Sequence, residues 1–320
     1  MKWLLKAAAL QILSRMPFGK LVYRSLQDIC GTLKLDIDAC LKQSFKEINH
    51  MSLFGPPINN SRVLEIGTGW FPVSSLVLYL LGAKKVFTID INPWLTRKSL
   101  EQTIGSLTNV KIENPIIKNK SEYAKLEKRL KKLKETFYKM NTNEGLRPEE
   151  LLRKFNIQYL CPCDATMLPL PSNHLEYIFH SSVFEHIEPC ILQNIITETF
   201  RVLKPGGIHA GFIAVGDHFS SNREISMVNF LKFSSRQWYW IGGSGLAYHN
   251  RMRCCDHEKF FRNAGFEILD VYTDTPPESV KALEKMSISP EFRGYSRNEL
   301  ACSSMFIVCK KPMSSASILP

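Results

Sequence analysis

Within about thirty residues, from Ser61 to Asp90, the chain lays out a strand, a glycine turn, a helix and a second strand ending in an acid. Arg62-Val63-Leu64-Glu65-Ile66 is a short apolar run of strand length. Gly67-Thr68-Gly69 follows it, and Pro72 suits the first turn of a helix, where its missing N–H costs nothing. Val73 to Leu81 supplies that helix, Gly82 stops it, and Lys85 to Ile89 is the next strand, capped by Asp90. A strand–helix–strand unit of this size brings its strands together in parallel, with the helix crossing one face.

The rest of the chain extends this plan. Pro93 to Ile104 is helical, Ile157 to Leu160 and Leu175 to His180 are strands, and Pro189 to Leu203 is a helix ended by Lys204-Pro205-Gly206-Gly207. Ile208 to Val215 is a fifth strand. Such alternation predicts an α/β fold, a doubly wound and mostly parallel sheet covered on both faces. After a helix over Asp256 to Asn263, Phe266 to Tyr272 and Ser304 to Cys309 read as strands with no helix required between them. An antiparallel strand at the C-terminal edge of the sheet is expected from that pair.

Three segments stand outside the alternation. Residues 1–58 read as an N-terminal helical cap, through LVYRSLQDICGTLKL and DIDACLKQSFKEINHMSLF to the breaker Gly55-Pro56-Pro57. The first twenty residues have the apolar look of a signal peptide. Lys6 interrupts the run, Arg15 closes it, and no small-residue cleavage site follows, so a helix packed on the domain or lying on a membrane surface is expected instead. A basic helical insertion occupies 112–156; from Lys118 to Lys139 it carries nine Lys or Arg against three Glu. A lid-like segment, 217–250, holds Trp238, Tyr239 and Trp240 among glycine pairs. The alternating elements are expected in one domain over 59–312 that includes the insertion and the lid-like segment, with 313–320 as a tail.

The net charge of +11 attracts polyanions without naming one. Nine scattered cysteines suit a reducing, cytoplasmic compartment. Cys161-Pro162-Cys163 and Cys254-Cys255 lack zinc-knuckle spacing, no histidine cluster completes a ligand set, and no metal is expected.

Glycines in the first turn let the backbone bend sharply and approach a ligand beyond the carboxyl end of the strand. Asp90, at the end of the neighbouring strand, can accept hydrogen bonds from a ribose diol. A nicotinamide dinucleotide and S-adenosylmethionine both fit that much. The third glycine of the dinucleotide fingerprint is absent, Phe71 and Pro72 standing where the spacing would continue.

Residues 61 to about 215 resemble a class I S-adenosylmethionine-dependent methyltransferase of the broad kind that includes the ubiquinone-biosynthesis enzymes. Val63 to Gly69 resembles that family's first motif and Thr88-Ile89-Asp90 its ribose-binding acid. Cys163 to Pro171 resembles the adenine-contacting segment, Tyr177 to Ile187 the fourth-strand motif, and Phe200 to Gly207 the following helix-to-strand turn. The resemblance implies S-adenosyl-L-methionine as cofactor. It implies that Glu65 orients the turn near the methionine amino group, with Gly67, Thr68 and Gly69 beneath the cofactor. Asp90 and Ile91 would bind the ribose side, Asp164 and Ala165 the adenine edge, and His180 and Ser181 the pocket where the methyl donor ends.

A sulfonium methyl is already activated, so the protein has to align donor and nucleophile and take a proton from a hydroxyl. His218, His186 and His249 are the candidate bases. The expected acceptor is oxygen on a small molecule, lipid or glycan, with peripheral contact to an anionic membrane. Nucleic acid is disfavoured because no RNA-binding module accompanies the basic helix. The alternatives are methylation of RNA or protein, and a non-catalytic scaffold that only binds the cofactor.

Overall fold

A computed structural model describes residues 2–19, 22–23, 25, 36–109, 120–140, 145–222, 224–243, 245–246 and 248–313. The helix expected over LVYRSLQDICGTLKL and the tail fall largely outside the described residues. The N-terminal part contributes α1 (Lys2–Arg15) and α2 (Ile37–Ser52). There follow β1 (Arg62–Ile66), α3 (Val73–Leu80), β2 (Lys85–Ile89), α4 (Arg97–Asn109), α5 (Lys120–Met140) and α6 (Pro148–Arg153). Then come β3 (Ile157–Leu160), β4 (Leu175–Ser181), α7 (Pro189–Val202) and β5 (Leu203–Ala214). The last third holds α8 (Ser235–Ile241), α9 (Cys254–Asn263), β6 (Glu267–Asp274), α10 (Pro277–Glu284), α11 (Arg297–Ala301) and β7 (Ser304–Lys310).

Among the described residues seven strands form one sheet in the order β3-β2-β1-β4-β5-β7-β6. Strands β1 to β5 pair in parallel, and β7 runs antiparallel to both β5 and β6. The expected C-terminal pair is therefore present, with β7 lying between β5 and β6. The direction of winding reverses between β1 and β4, which opens a crevice at their carboxyl ends. Register makes the crevice level: Ile66 pairs with Ile89 on one side and His180 on the other. Gly67, Asp90 and Ser181 consequently emerge side by side.

Period-two alternation divides the strands between two cores. Val63, Tyr177, Phe179 and Ala210 face α2, α3 and α4, where Met51, Leu76 and Ile104 are fully buried. Leu64, Ile178 and Ile307 face α7 and α9, against Ile196 and Phe261. Truncating such a side chain to alanine costs about 2–5 kcal/mol. A third apolar cluster joins Trp3, Ala7 and Leu10 of α1 to Phe230 and Trp238, and to Leu283 and Leu300 of α10 and α11. The segment expected as a lid thus packs one of its tryptophans as core, while Tyr239 and Trp240 stay exposed.

One helix departs from expectation for a local reason. Helix α4 begins at Arg97, not near Pro93, because Asn92 turns back on Asp90 and Trp94 N–H donates to Asn92 O at 2.8 Å. The basic helix α5 docks by Leu126 and Leu133. Its Lys125, Lys128, Arg129, Lys131 and Lys132 line an outer cleft beside Tyr79.

Candidate active site

The glycine turn is built for close approach. Gly67 and Gly69 have φ of +83° and +64°, where a Cβ is disfavoured. A Cβ on Gly67 would stand 2.3 Å from Val183 Cγ2, whereas over Gly69 nothing lies within 4 Å. The backbone there faces open space beside a carboxylate.

That carboxylate is Asp90, whose Oδ2 accepts from Gly69 N–H at 2.8 Å and whose Oδ1 accepts from Asn92 N–H at 2.9 Å. Each oxygen retains a lone pair for a further donor. Burial raises its pKa, opposed by those two backbone bonds. Ile91, 61% exposed, stands next to it. Trp70 and Trp94, which flank the glycine turn and the Asp90 turn, stack with ring centroids 4.5 Å apart.

Glu65 holds the turn from below. Thr68 and Thr88 hydroxyls meet at 2.7 Å, and Thr88 donates to Glu65 Oε2 at 2.6 Å. Ser75 donates to the same oxygen. Burial pushes the Glu65 carboxyl up to about 7. Glu65 therefore reaches the turn through Thr88 and Thr68. Asp164 lies at the other wall, exposed, its carboxylate folded onto the Thr166 N–H and hydroxyl at 2.8 Å each. Those two bonds hold its pKa low. Cys163 N–H donates to Asp90 O at 2.9 Å and ties the two walls together; Ala165 is half-buried against the core that faces α7 and α9, the lower core.

The structure separates His180 from Ser181. Alternation along β4 sends the His180 ring to the same face as Ile178, where it stacks on Phe184 at 3.6 Å and meets His209 edge-on at 5.4 Å. It is fully buried and neutral, its pKa lowered by desolvation. Its side chain belongs to the lower core, which corrects the pocket position expected for it. Ser181 points the other way, towards Glu47 of α2, and hydrogen-bonds it.

The three candidate bases come together, though they lie on three different segments. His186 and His218 have centroids 4.9 Å apart, and His218 stacks on His249 at 4.1 Å. His186 follows β4 and His218 follows β5, both solvent-exposed, while His249 is buried. Burial of the surroundings lowers all three pKa values, that of His218 to about 4. The histidine cluster that was not expected in the sequence is formed by the fold.

Three residues at this edge escaped the sequence reading. Glu185, fully buried, has its pKa pushed up to about 8 by desolvation. Asn250 pins the turn carrying Glu185 and His186, its Nδ2 donating to Phe184 O at 2.8 Å and Ile187 O at 2.9 Å, and its N–H to Glu185 O at 2.8 Å. Glu47 is 3% exposed; Gln43 donates to its Oε1 at 2.7 Å, and its Oε2 has no hydrogen-bond partner. A carboxylate on the apolar face of a helix, with Leu41, Ser44, Ile48 and Met51, was the available signal for Glu47.

The family model of a methyltransferase domain matches residues 121–211, from α5 into β5. No curated protein matches the sequence. Among solved structures, a [4+2]-cyclase is 15% identical with a TM-score of 0.47, covering 87% of this chain and 83% of its own. An S-adenosylmethionine-dependent methyltransferase of Mesorhizobium loti is 13% identical with a TM-score of 0.43, covering 82% of this chain and 95% of its own. Phosphoethanolamine N-methyltransferase 2 of Haemonchus contortus, solved with S-adenosylhomocysteine, is 15% identical with a TM-score of 0.45, covering 85% of this chain and 53% of its own.

The open space over Gly69, beside a carboxylate with lone pairs to spare, fits the ribose and methionine parts of S-adenosylmethionine. A parallel sheet that reverses at β1 and β4 and takes in a late antiparallel strand is the class I methyltransferase plan. The domain match falls on β3, β4 and β5 of that sheet, so this part of the chain is similar to a methyltransferase domain.

Proposed function

We propose that the chain is an S-adenosylmethionine-dependent methyltransferase that acts on an oxygen atom of a small organic acceptor, free or carried on a lipid or glycan. One observation carries the reading: three imidazoles converge at the carboxyl ends of β4 and β5, beside the glycine turn. Val183, which packs against Gly67, lies two residues before Glu185, so the two halves of the site adjoin.

When bound, S-adenosylmethionine supplies a methyl group on a sulfonium sulfur. Gly67, Thr68 and Gly69 leave room for it, Asp90 accepts from the ribose hydroxyls with Ile91 against the base, and Asp164 and Ala165 bound the adenine edge. Glu65 keeps the turn in place. Ser181 and Glu47 close the donor end. The exposed rings of His218 and His186 take up the acceptor hydroxyl and its proton, while buried His249 fixes the orientation of His218. Residues 59–312 form the catalytic domain in this reading, with 1–58 as a cap and 217–250 bordering the acceptor.

A peripheral site of action at a membrane is part of the proposal. No helix among the described residues is long and apolar enough to cross a bilayer. Helix α1 nevertheless turns Leu5 and Ile12 outward, at 71% and 64% exposure, near Trp240, over which Arg15 sits at 4.8 Å. Apolar side chains beside cations suit an anionic interface in a cytoplasmic setting.

The test is transfer of tritiated methyl from S-adenosylmethionine into fractionated cell extract. Label in the lipid or metabolite fraction supports the reading. Label confined to RNA or protein overturns the acceptor class, and cofactor binding without any label supports a scaffold instead.

A further inference from the structure

Glu185, His186 and His218 each present a ligand atom within 4.8 Å of the other two. Their surroundings are those of a cation site. Glu185 Oε1 accepts from Ala214 N–H at 3.3 Å, and its Oε2 is buried with no hydrogen-bond partner. A bare carboxylate oxygen inside a protein is costly unless it is protonated or faces a positive charge. His186 Nδ1 lies 2.8 Å from Tyr248 O. A carbonyl only accepts, so Nδ1 carries the proton and Nε2 presents its lone pair. The Ala214 backbone supports His218 from the same side. Imidazoles oriented by backbone carbonyls are the usual arrangement of histidine ligands to metals. The two exposed rings give an ion a path from solvent.

We propose that Glu185, His186 and His218 bind one divalent transition-metal ion, of the zinc or manganese kind, through two histidine nitrogens and one carboxylate oxygen. Such a set leaves coordination positions open. Those positions face the acceptor side of the site, so the inference rests on the methyl-transfer reading and deepens it. A hydroxyl bound to the ion has its pKa lowered and releases its proton to solvent water at the exposed mouth of the site, so the two histidines act on the acceptor through the ion. Donors about 2.1 Å from a four-coordinate ion lie about 3.4 Å apart, so the site tightens by about 1 Å on loading. Rotation of the exposed His218 ring supplies that movement, guided by its stack on His249. Asn250, which fixes the Glu185–His186 turn through Phe184 and Ile187, is the support of two of the three ligands.

The experiment strips the full chain with a chelator and titrates it with zinc by calorimetry, and with cobalt by visible absorption. S-adenosylhomocysteine is titrated separately against the same samples. The expected result is one ion per chain, weakened at least about tenfold in Glu185→Gln and in His218→Ala, with affinity for S-adenosylhomocysteine unchanged in both. The double variant keeps the proposal falsifiable if one ligand is dispensable: it should show no cobalt band. No ion bound by the wild type, or equal binding by the double variant, overturns the metal site. Failure of the wild type to bind S-adenosylhomocysteine would sink the methyl-transfer reading and leave the metal result standing by itself.

Discussion

The cofactor crevice and the histidine pocket lie side by side at one edge of the sheet, yet they are made differently. The crevice comes from neighbours in sequence: Glu65, Gly67, Thr68 and Gly69 on one turn, and Asp90 at the end of the next strand. The pocket comes from distant segments: Glu185 and His186 after β4, His218 after β5, and His249 with Asn250 from the stretch before α9. A local site is specified by a turn and tolerates change elsewhere. A site assembled from three segments depends on every connection that brings them together, and it can be altered segment by segment to suit a new acceptor.

If the halves are separate in this sense, His218→Ala should reduce turnover by at least about 100-fold, the scale of losing a group that activates the acceptor hydroxyl. Affinity for S-adenosylhomocysteine, followed by calorimetry, should stay within about twofold. Weakened cofactor binding in this variant would break the distinction. Gly67→Ala probes the seam. The added methyl meets Val183 in a backbone region unfavourable to alanine, so unfolding free energy should fall by about 2–4 kcal/mol in urea titrations. Both cofactor binding and turnover should suffer, unlike in His218→Ala. Asp90→Ala should weaken S-adenosylhomocysteine by roughly 30-fold, the loss of about 2 kcal/mol of charged hydrogen bonding. Its effect on ion binding should be negligible.

The smallest effect concerns histidines buried away from both sites. His209 and His257 lie fully buried in the lower core with pKa values of about 3, lowered by desolvation. The unfolded chain takes up their protons near pH 6.5 and the folded chain only near pH 3. Their contribution to stability is therefore complete above pH 6.5 and is lost as pH falls through that window. Melting temperatures should drop steadily from pH 6.5 to 4.5, and His257→Leu should make that slope shallower. An unchanged slope would mean that other groups control acid unfolding.

The same contrast explains what could be read in advance. The strand, turn and acid of the crevice follow local rules, so β1, α3, β2 and Asp90 were legible from spacing and glycine placement. Alternation would also have placed His180 correctly, since it shares parity with the apolar Ile178, which faces α7 and α9. Resemblance to a motif favoured the pocket instead. Glu185 and Asn250 gave no signal, because their importance depends on the return of residue 250 to the end of β4. Helices α10 and α11 went unread because their apolar positions serve a third cluster with α1, a partner nearly the whole chain away.

The late position of β7 has a consequence for synthesis. β5 pairs along Ile208 to Ala214 with β7, and β6 reaches the sheet through β7 as well. A ribosome that has released only residues up to β6 therefore exposes an unpaired strand edge next to the histidine pocket, and a stray second strand with nothing to join. Completion of the sheet waits on Ser304 to Lys310. Nascent and prematurely terminated chains share this exposed β5 edge, which β7 covers in the finished sheet.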